Sequence, residues 1–175
     1  MAPNMQVPEV APARDGADEV SASPDQDTAL ARIGKAMHRL LEWGDASAPN
    51  VVAVAREFDL DTDQGAQAAA MALCILHGAG AWAWDDAAVG WQANEVELMY
   101  QGETYRLDRL VQRRDSGHWW VLDFKSTGMP LRNPALVAQM QTYLSAVQNI
   151  YPGETVRAAF LTGSGELIEL PQNTG

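Results

Sequence analysis

Segments 104–113 and 117–124 constrain the fold more than any other part of this sequence, because both are typical of strands and only a short polar stretch separates them. Runs of β-branched, aromatic and aliphatic residues bounded by turn residues predict a hairpin. We expect Arg114–Gly117 to form its loop, so that Arg113 pairs with His118. That register fixes which residues face each other along both strands.

The register places Asp108 directly opposite Asp123. Facing residues in an antiparallel pair have Cβ atoms about 4.5–5.5 Å apart, and two carboxylates that close repel each other. A divalent cation would compensate the repulsion, since hard cations bind converging carboxylate oxygens. Lys125 lies two residues beyond Asp123, on the same face, where it could orient a metal-activated water or stabilise charge developing on a phosphate. The residues alone also allow a salt-bridged Asp-x-Lys on an ordinary strand.

The rest of the chain supplies helices and further strands. Apolar residues at helical spacing and the residues that bound them predict helices over 23–44, 51–58, 64–77 and 133–149. Further strands are predicted over 95–101, 156–161 and 166–170. This order predicts one α/β (α+β) domain. The helix 64–77 is apolar almost all round, so we expect it to be buried together with Cys74.

A chain of 175 residues is long enough for one domain with a substantial core. Residues 1–22 carry many Pro, Ala, Asp and Glu without a hydrophobic period, which we interpret as a disordered leader or linker before a domain spanning 23–175. No apolar run approaches the roughly 18 residues of a membrane span. A single cysteine excludes an internal disulfide. We therefore expect a cytoplasmic protein without a membrane partner.

The formal net charge of -11 argues against a strong nucleic-acid surface. Part of that charge lies in the first 30 residues, whereas segment 101–132 is locally basic. Its arginines are candidate DNA contacts: Arg106, Arg109 and Arg132. Because Arg106 and Arg109 lie on opposite faces of one strand, they cannot contact the same phosphate, and Arg106 shares the face of Asp108. We expect weak DNA binding by the isolated domain.

Several short motifs occur in the order found in one nuclease family. Arg106-Leu-Asp-Arg-Leu-Val111 and Trp119-Trp-Val-Leu-Asp-Phe-Lys-Ser126 resemble the core of the PD-(D/E)XK nucleases, and more narrowly the RecB/AddA-type domain at the C-terminus of UvrD-like helicases. The remaining elements of the resemblance are a helix with His38, a strand with Glu95, a Gln-x-x-x-Tyr helix with Gln139 and Tyr143, Tyr151-Pro-Gly, and the strand from Val156 to Gly163.

The resemblance implies a restriction-endonuclease-like core, in which helices flank a central mixed sheet with an antiparallel meander. It implies Mg²⁺- or Mn²⁺-dependent hydrolysis of DNA during double-strand-break repair, with a UvrD-like helicase domain or subunit as partner. The implied metal ligands are His38, Asp108, Asp123 and the carbonyl of Phe124. Lys125 would be the catalytic base or stabiliser, and Glu95, Gln139 and Tyr143 would complete the catalytic set.

The sequence departs from that family in two places. Leu107 stands where the family has its leading proline, and the chain lacks the Gly-x-x-x-x-Gly-Lys-Ser/Thr phosphate loop of a helicase. We therefore expect either an excised C-terminal domain or a free-standing relative. A nuclease-fold scaffold without chemistry, and a hydrolase of another substrate, remain alternatives.

Some residues also allow a structural interpretation. Glu97 could take the place of Glu95, since it lies two residues along the same strand. Gln139 and Tyr143 share a helix face that could simply pack on the sheet. The six tryptophans fit core packing better than base stacking.

Overall fold

Three helices precede the sheet. The structure is a computed structural model that describes the backbone of residues 24–172 and the side chains of residues 28–172, so the predicted leader 1–22 lies outside the described residues. The helices are α1 (Pro24–Trp43), α2 (Ala48–Glu57) and α3 (Thr62–His77), followed by a short 3-10 helix (Ala81–Trp84).

The ends of these helices follow from local sequence. α1 stops before Gly44, whose φ of 67° is a conformation that glycine adopts without strain. α3 starts with a capping box, in which Asp61 accepts from the Gln64 amide and the Gln64 side chain accepts from the Asp61 amide.

A five-stranded mixed sheet forms the centre of the domain. Its strands are β1 (Val89–Tyr100), β2 (Glu103–Arg113), β3 (Trp119–Lys125), β4 (Val156–Thr162) and β5 (Leu167–Glu169), and they lie side by side in chain order. All neighbours are antiparallel except β3 and β4, which are parallel. α4 (Pro134–Ile150) makes the crossover that a parallel pair requires. The predicted mixed sheet with flanking helices is confirmed.

Each face of the sheet has its own buried cluster. Residues such as Val111, Trp120 and Leu122 pack on the side of α1 and α3. Residues such as Leu110 and Val121 pack on the side of α4. This alternation along β2 and β3 is expected of strands covered on both faces.

Three expectations from the sequence need correction. β1 begins at Val89, not at Glu95, so residues 89–94 are already part of the sheet. α3 is buried on one face only, because its small alanines pack towards α1 while Leu73 is 41% exposed. Cys74 is likewise exposed, so the prediction of a buried thiol was wrong. Across the described part of the chain, no helix has both the length and the apolar character needed to span a membrane.

Candidate active site

The β2–β3 hairpin has the register that the sequence predicts. The Arg113 amide donates to the His118 carbonyl at 3.0 Å, and Arg109 faces Leu122. One step beyond this last pair, the same register places Asp108 opposite Asp123. There Oδ2 of Asp108 accepts a 2.8 Å hydrogen bond from the Phe124 amide, so this carboxylate is tied to the backbone of the opposite strand.

Asp123 and Lys125 form a buried ion pair. The Lys125 ammonium lies 3.0 Å from Asp123 Oδ2, and the two side chains are 15% and 9% exposed. Burial, and then the neighbouring charge of Asp108, raise the pKa of Asp123 to about 7, although the charge and hydrogen bond of Lys125 act to lower it. The site therefore contains a buried carboxylate whose charge Lys125 offsets only in part.

His38 of α1 lies between Asp108 and the carbonyl of Phe124. Its Nε2 is 3.0 Å from the Phe124 oxygen and its Nδ1 is 3.4 Å from Asp108 Oδ1. Burial, the largest single cause, acts to lower the pKa of His38, but the charge and hydrogen bond of Asp108 together with the charge of Asp123 outweigh it and raise the pKa to about 9. Burial acts to raise the pKa of Asp108, but His38 and the Phe124 amide hold it below its ordinary value. A protonated imidazole thus bridges two groups predicted to bind metal.

Glu95 adjoins this group from the neighbouring strand. Asn94 faces Arg109 and Val96 faces Leu107, so Glu95 and Asp108 occupy the gap between these pairs. Glu95 has a φ of 52°, which is uncommon for a residue other than glycine, although the strand register is the same on both sides of it. Burial is the main cause that raises its pKa, opposed by the charge of Arg106, with which it forms an ion pair.

The alternative, Glu97, is exposed and pairs with Arg106. Glu95, in contrast, is half-buried and lies opposite Asp108. The structure thus brings Glu95, not Glu97, next to Asp108.

The donor set fits a divalent cation. Two carboxylates, one imidazole and one backbone carbonyl are ligands that Mg²⁺ or Mn²⁺ accepts, the imidazole favouring Mn²⁺. Within residues 28–172, however, no three His, Cys, Asp or Glu side chains stand together as a ready metal site. The candidate ligands are instead held in ion pairs and hydrogen bonds with one another. A bound cation would have to replace some of these contacts.

Arg109 does not lie on an open surface, which corrects its assignment as a DNA contact. Its guanidinium donates to the Ala83 carbonyl and to the side chains of Asn94 and Gln92, and it lies over the Trp84 ring at 4.7 Å. The residue is 2% exposed, and burial lowers its pKa to about 10. The sequence around Arg109, a predicted strand in a locally basic segment, did not predict this packing.

The other predicted residues differ in their surroundings. The side chain of Arg106 is 63% exposed, and Arg132 is exposed at the end of the short 3-10 helix Pro130–Arg132. Gln139 is half-buried on α4. Tyr143 is buried, with its ring edge-on to Tyr105 at 6.1 Å, so it is part of the core on the α4 side.

Comparison with known proteins decides the family. The family model described as the PD-(D/E)XK nuclease superfamily matches residues 13–169, which is most of the chain. The chain belongs to the PD-(D/E)XK nuclease superfamily. Asp123-Phe124-Lys125 fits the (D/E)XK element of this superfamily, and Asp108 is the acid that we expect to precede it. A search of curated proteins found no match.

One residue beside the candidate site was not predicted from the sequence. Trp84 lies 40 residues before Phe124 in the chain, yet its ring stacks on the Phe124 ring at 5.8 Å. Only the folded structure shows that it reaches the Asp-Phe-Lys element.

Proposed function

We propose that this chain is a divalent-metal-dependent deoxyribonuclease. One observation carries the proposal: the hairpin brings Asp108, Asp123 and Lys125 together, and the Phe124 backbone between the last two contacts both Asp108 and His38. One buried and one half-buried acid beside a lysine form an arrangement that can hold a cation against a phosphodiester. Membership of the superfamily supports the same chemistry.

The residues have separable tasks. Asp108, Asp123, His38 and the Phe124 carbonyl would hold Mg²⁺ or Mn²⁺. When bound, such a cation polarises the phosphoryl oxygen and lowers the pKa of a water molecule. Lys125 carries a positive charge beside Asp123, where it orients the attacking water or stabilises charge on the phosphate. His38 has to release a proton before its nitrogen can bind a metal.

The acidic protein is expected to bind DNA only weakly by itself. A formal net charge of -11 disfavours long-lived contacts with phosphates, and Arg106 and Arg132 are the exposed cations that we assign to the substrate. We propose that a UvrD-like helicase, on the same chain or as a separate subunit, delivers the strand during double-strand-break repair.

Cleavage of linear single- and double-stranded DNA tests the proposal. The protein is assayed with Mg²⁺, with Mn²⁺ and with EDTA, beside Asp123→Asn and a control, Asp115→Asn, in the exposed β2–β3 loop. We expect cutting that needs metal, persists in the control and is lost in Asp123→Asn. Cutting in EDTA, or equal cutting by both variants, would contradict the proposal.

The scaffold alternative has one observation in its favour. Each candidate side-chain ligand already contacts another member of the site, so the fold does not need a metal to compensate its charges. A scaffold would neither cut DNA nor bind Mn²⁺ at this site, with or without a helicase. An intact nuclease that awaits its helicase would still bind Mn²⁺ alone.

A further inference from the structure

Four side chains form a continuous stack that ends at the candidate metal centre. The guanidinium of Arg109 lies 4.7 Å from the Trp84 ring, and Trp84 stacks on Phe124 with 5.8 Å between centroids and 29° between planes. The Phe124 ring meets the His38 imidazole edge-on at 5.6 Å. The stack thus links the sheet, the 3-10 helix 81–84 and α1.

Trp84 is the member that joins the two elements carrying the site. Its indole Nε1 donates to the Leu41 carbonyl at 3.2 Å, one turn along α1 from His38. Its ring covers Phe124 of β3, and a Cβ added to Gly44 at the end of α1 would come within 3.2 Å of it. One side chain therefore fixes the distance between α1 and the Asp-Phe-Lys strand.

The position of Phe124 matters because its backbone amide and carbonyl contact two different residues of the site. The amide donates to Asp108, and the carbonyl faces His38. A shift of the Phe124 ring would move both groups and the flanking Asp123 and Lys125. Groups that orient metal ligands typically change metal affinity by about 10- to 100-fold when they are removed.

We propose that Trp84 is a positioning residue for the metal centre. It acts through Phe124 and α1, holding the Phe124 carbonyl, His38 and Asp108 at the spacing that a cation requires. The inference rests on the proposed function, since it assumes that these groups bind a divalent cation. Neither the superfamily motif nor the local sequence assigns Trp84 this task.

Trp82 provides a matched control within the same short helix. It contacts the β3 residue Trp120 edge-on at 5.4 Å and lies under the Arg113 guanidinium at 4.6 Å. It thus makes the same kinds of contact as Trp84, an arginine on one side and a β3 aromatic on the other. Its partners, however, are not among the candidate metal ligands or their neighbours in the stack.

The test compares Trp84→Leu with Trp82→Leu. Mn²⁺ affinity is measured by isothermal titration, stability by urea unfolding, and cleavage by kcat and KM at saturating Mn²⁺. We expect both variants to lose stability, but only Trp84→Leu to bind Mn²⁺ about 10- to 100-fold more weakly. Equal affinity losses in the two variants would overturn the inference and leave the nuclease proposal intact. Absence of Mn²⁺ binding by the wild type would overturn both.

A milder pair keeps the test decisive if either leucine variant fails to fold. Trp84→Phe retains an aromatic ring but loses the Nε1 hydrogen bond to Leu41, and Trp82→Phe is its control. We expect a smaller loss of Mn²⁺ affinity in Trp84→Phe and none in Trp82→Phe. The positioning role would be rejected if both phenylalanine variants bound Mn²⁺ with wild-type affinity and Trp84→Leu either did the same or failed to fold.

Discussion

The Phe124 amide donates a 2.8 Å hydrogen bond to Oδ2 of Asp108. This bond crosses from β3 to β2 where regular pairing ends, and it ties one candidate metal ligand to the middle residue of the Asp-Phe-Lys element. The carbonyl of the same residue faces His38 at 3.0 Å. The site is therefore organised around a backbone position as much as around its acidic side chains.

Lys125 should be needed for cutting but not for metal binding. We expect Lys125→Ala to lower kcat by about 10²- to 10⁴-fold, since it removes the charge that orients the water or stabilises the phosphate. Mn²⁺ affinity should persist or rise, because Asp123 is freed from its 3.0 Å ion pair. The control is Lys35→Ala, which changes an exposed lysine of α1. Cleavage by Lys125→Ala at the wild-type rate would remove this residue from the mechanism.

The metal-free domain should lose stability through this site as pH rises. The pKa of Asp123 is raised from 3.8 to about 7, and that of His38 from 6.5 to about 9, so the folded state binds these protons more tightly than the unfolded state. For Asp123 the contribution is present below pH 3.8 and is lost as pH rises through about 7; for His38 it is present below 6.5 and lost through about 9.

Comparison with Asp123→Asn isolates this effect from the other acids. Unfolding in urea with EDTA, between pH 4 and pH 8, gives the free energy of unfolding of each protein. We expect the wild-type value to fall relative to that of the variant as pH rises, because only the wild type has a carboxylate to ionise there. A difference that stays constant with pH would mean that Asp123 is not buried as described.

Arg109 should matter for stability, in contrast to Arg106. Arg109→Met leaves the Ala83 carbonyl and the Asn94 oxygen without their donor, and we expect a loss of about 1–3 kcal/mol. Arg106→Met, at a side chain 63% exposed, should cost less than about 1 kcal/mol. Urea unfolding of both variants measures the contrast. Similar values would show that the buried network around Arg109 contributes little.

Arg132 should contact DNA through a phosphate. We expect Arg132→Ala to weaken DNA binding and to reduce the slope of log affinity against log salt by about 1. Arg56→Ala, at an exposed arginine of α2, is the matched control with the same loss of charge. Fluorescence anisotropy with single-stranded DNA at several salt concentrations separates them. Equal slopes for both variants would show only a general effect of net charge.

The hairpin register was predictable because it depends on local features. Gly117 has a φ of 71°, which closes the four-residue loop after Arg113, and each later pair follows from that loop. The ion pair of Asp123 and Lys125 also follows, since residues two apart on a strand share a face.

The rest of the site depends on contacts between distant segments. The burial of Arg109 arises from Ala83 and Asn94, and the stacking of Trp84 arises from Phe124, so neither appears in a local pattern. The preference for Glu95 over Glu97 likewise depends on the fold, since Glu95 is half-buried opposite Asp108 whereas Glu97 is exposed. The apolar composition of α3 predicted burial on all sides, but its outer face is exposed although it carries Leu73.

Mn²⁺ binding to the purified protein tests the central claim most directly. Isothermal titration would compare the wild type with Asp108→Asn, Asp123→Asn and the exposed control Asp115→Asn. We predict binding by the wild type and the control, and its loss in both site variants. Binding of equal strength in all four proteins would place any metal elsewhere and contradict a metal centre between β2 and β3.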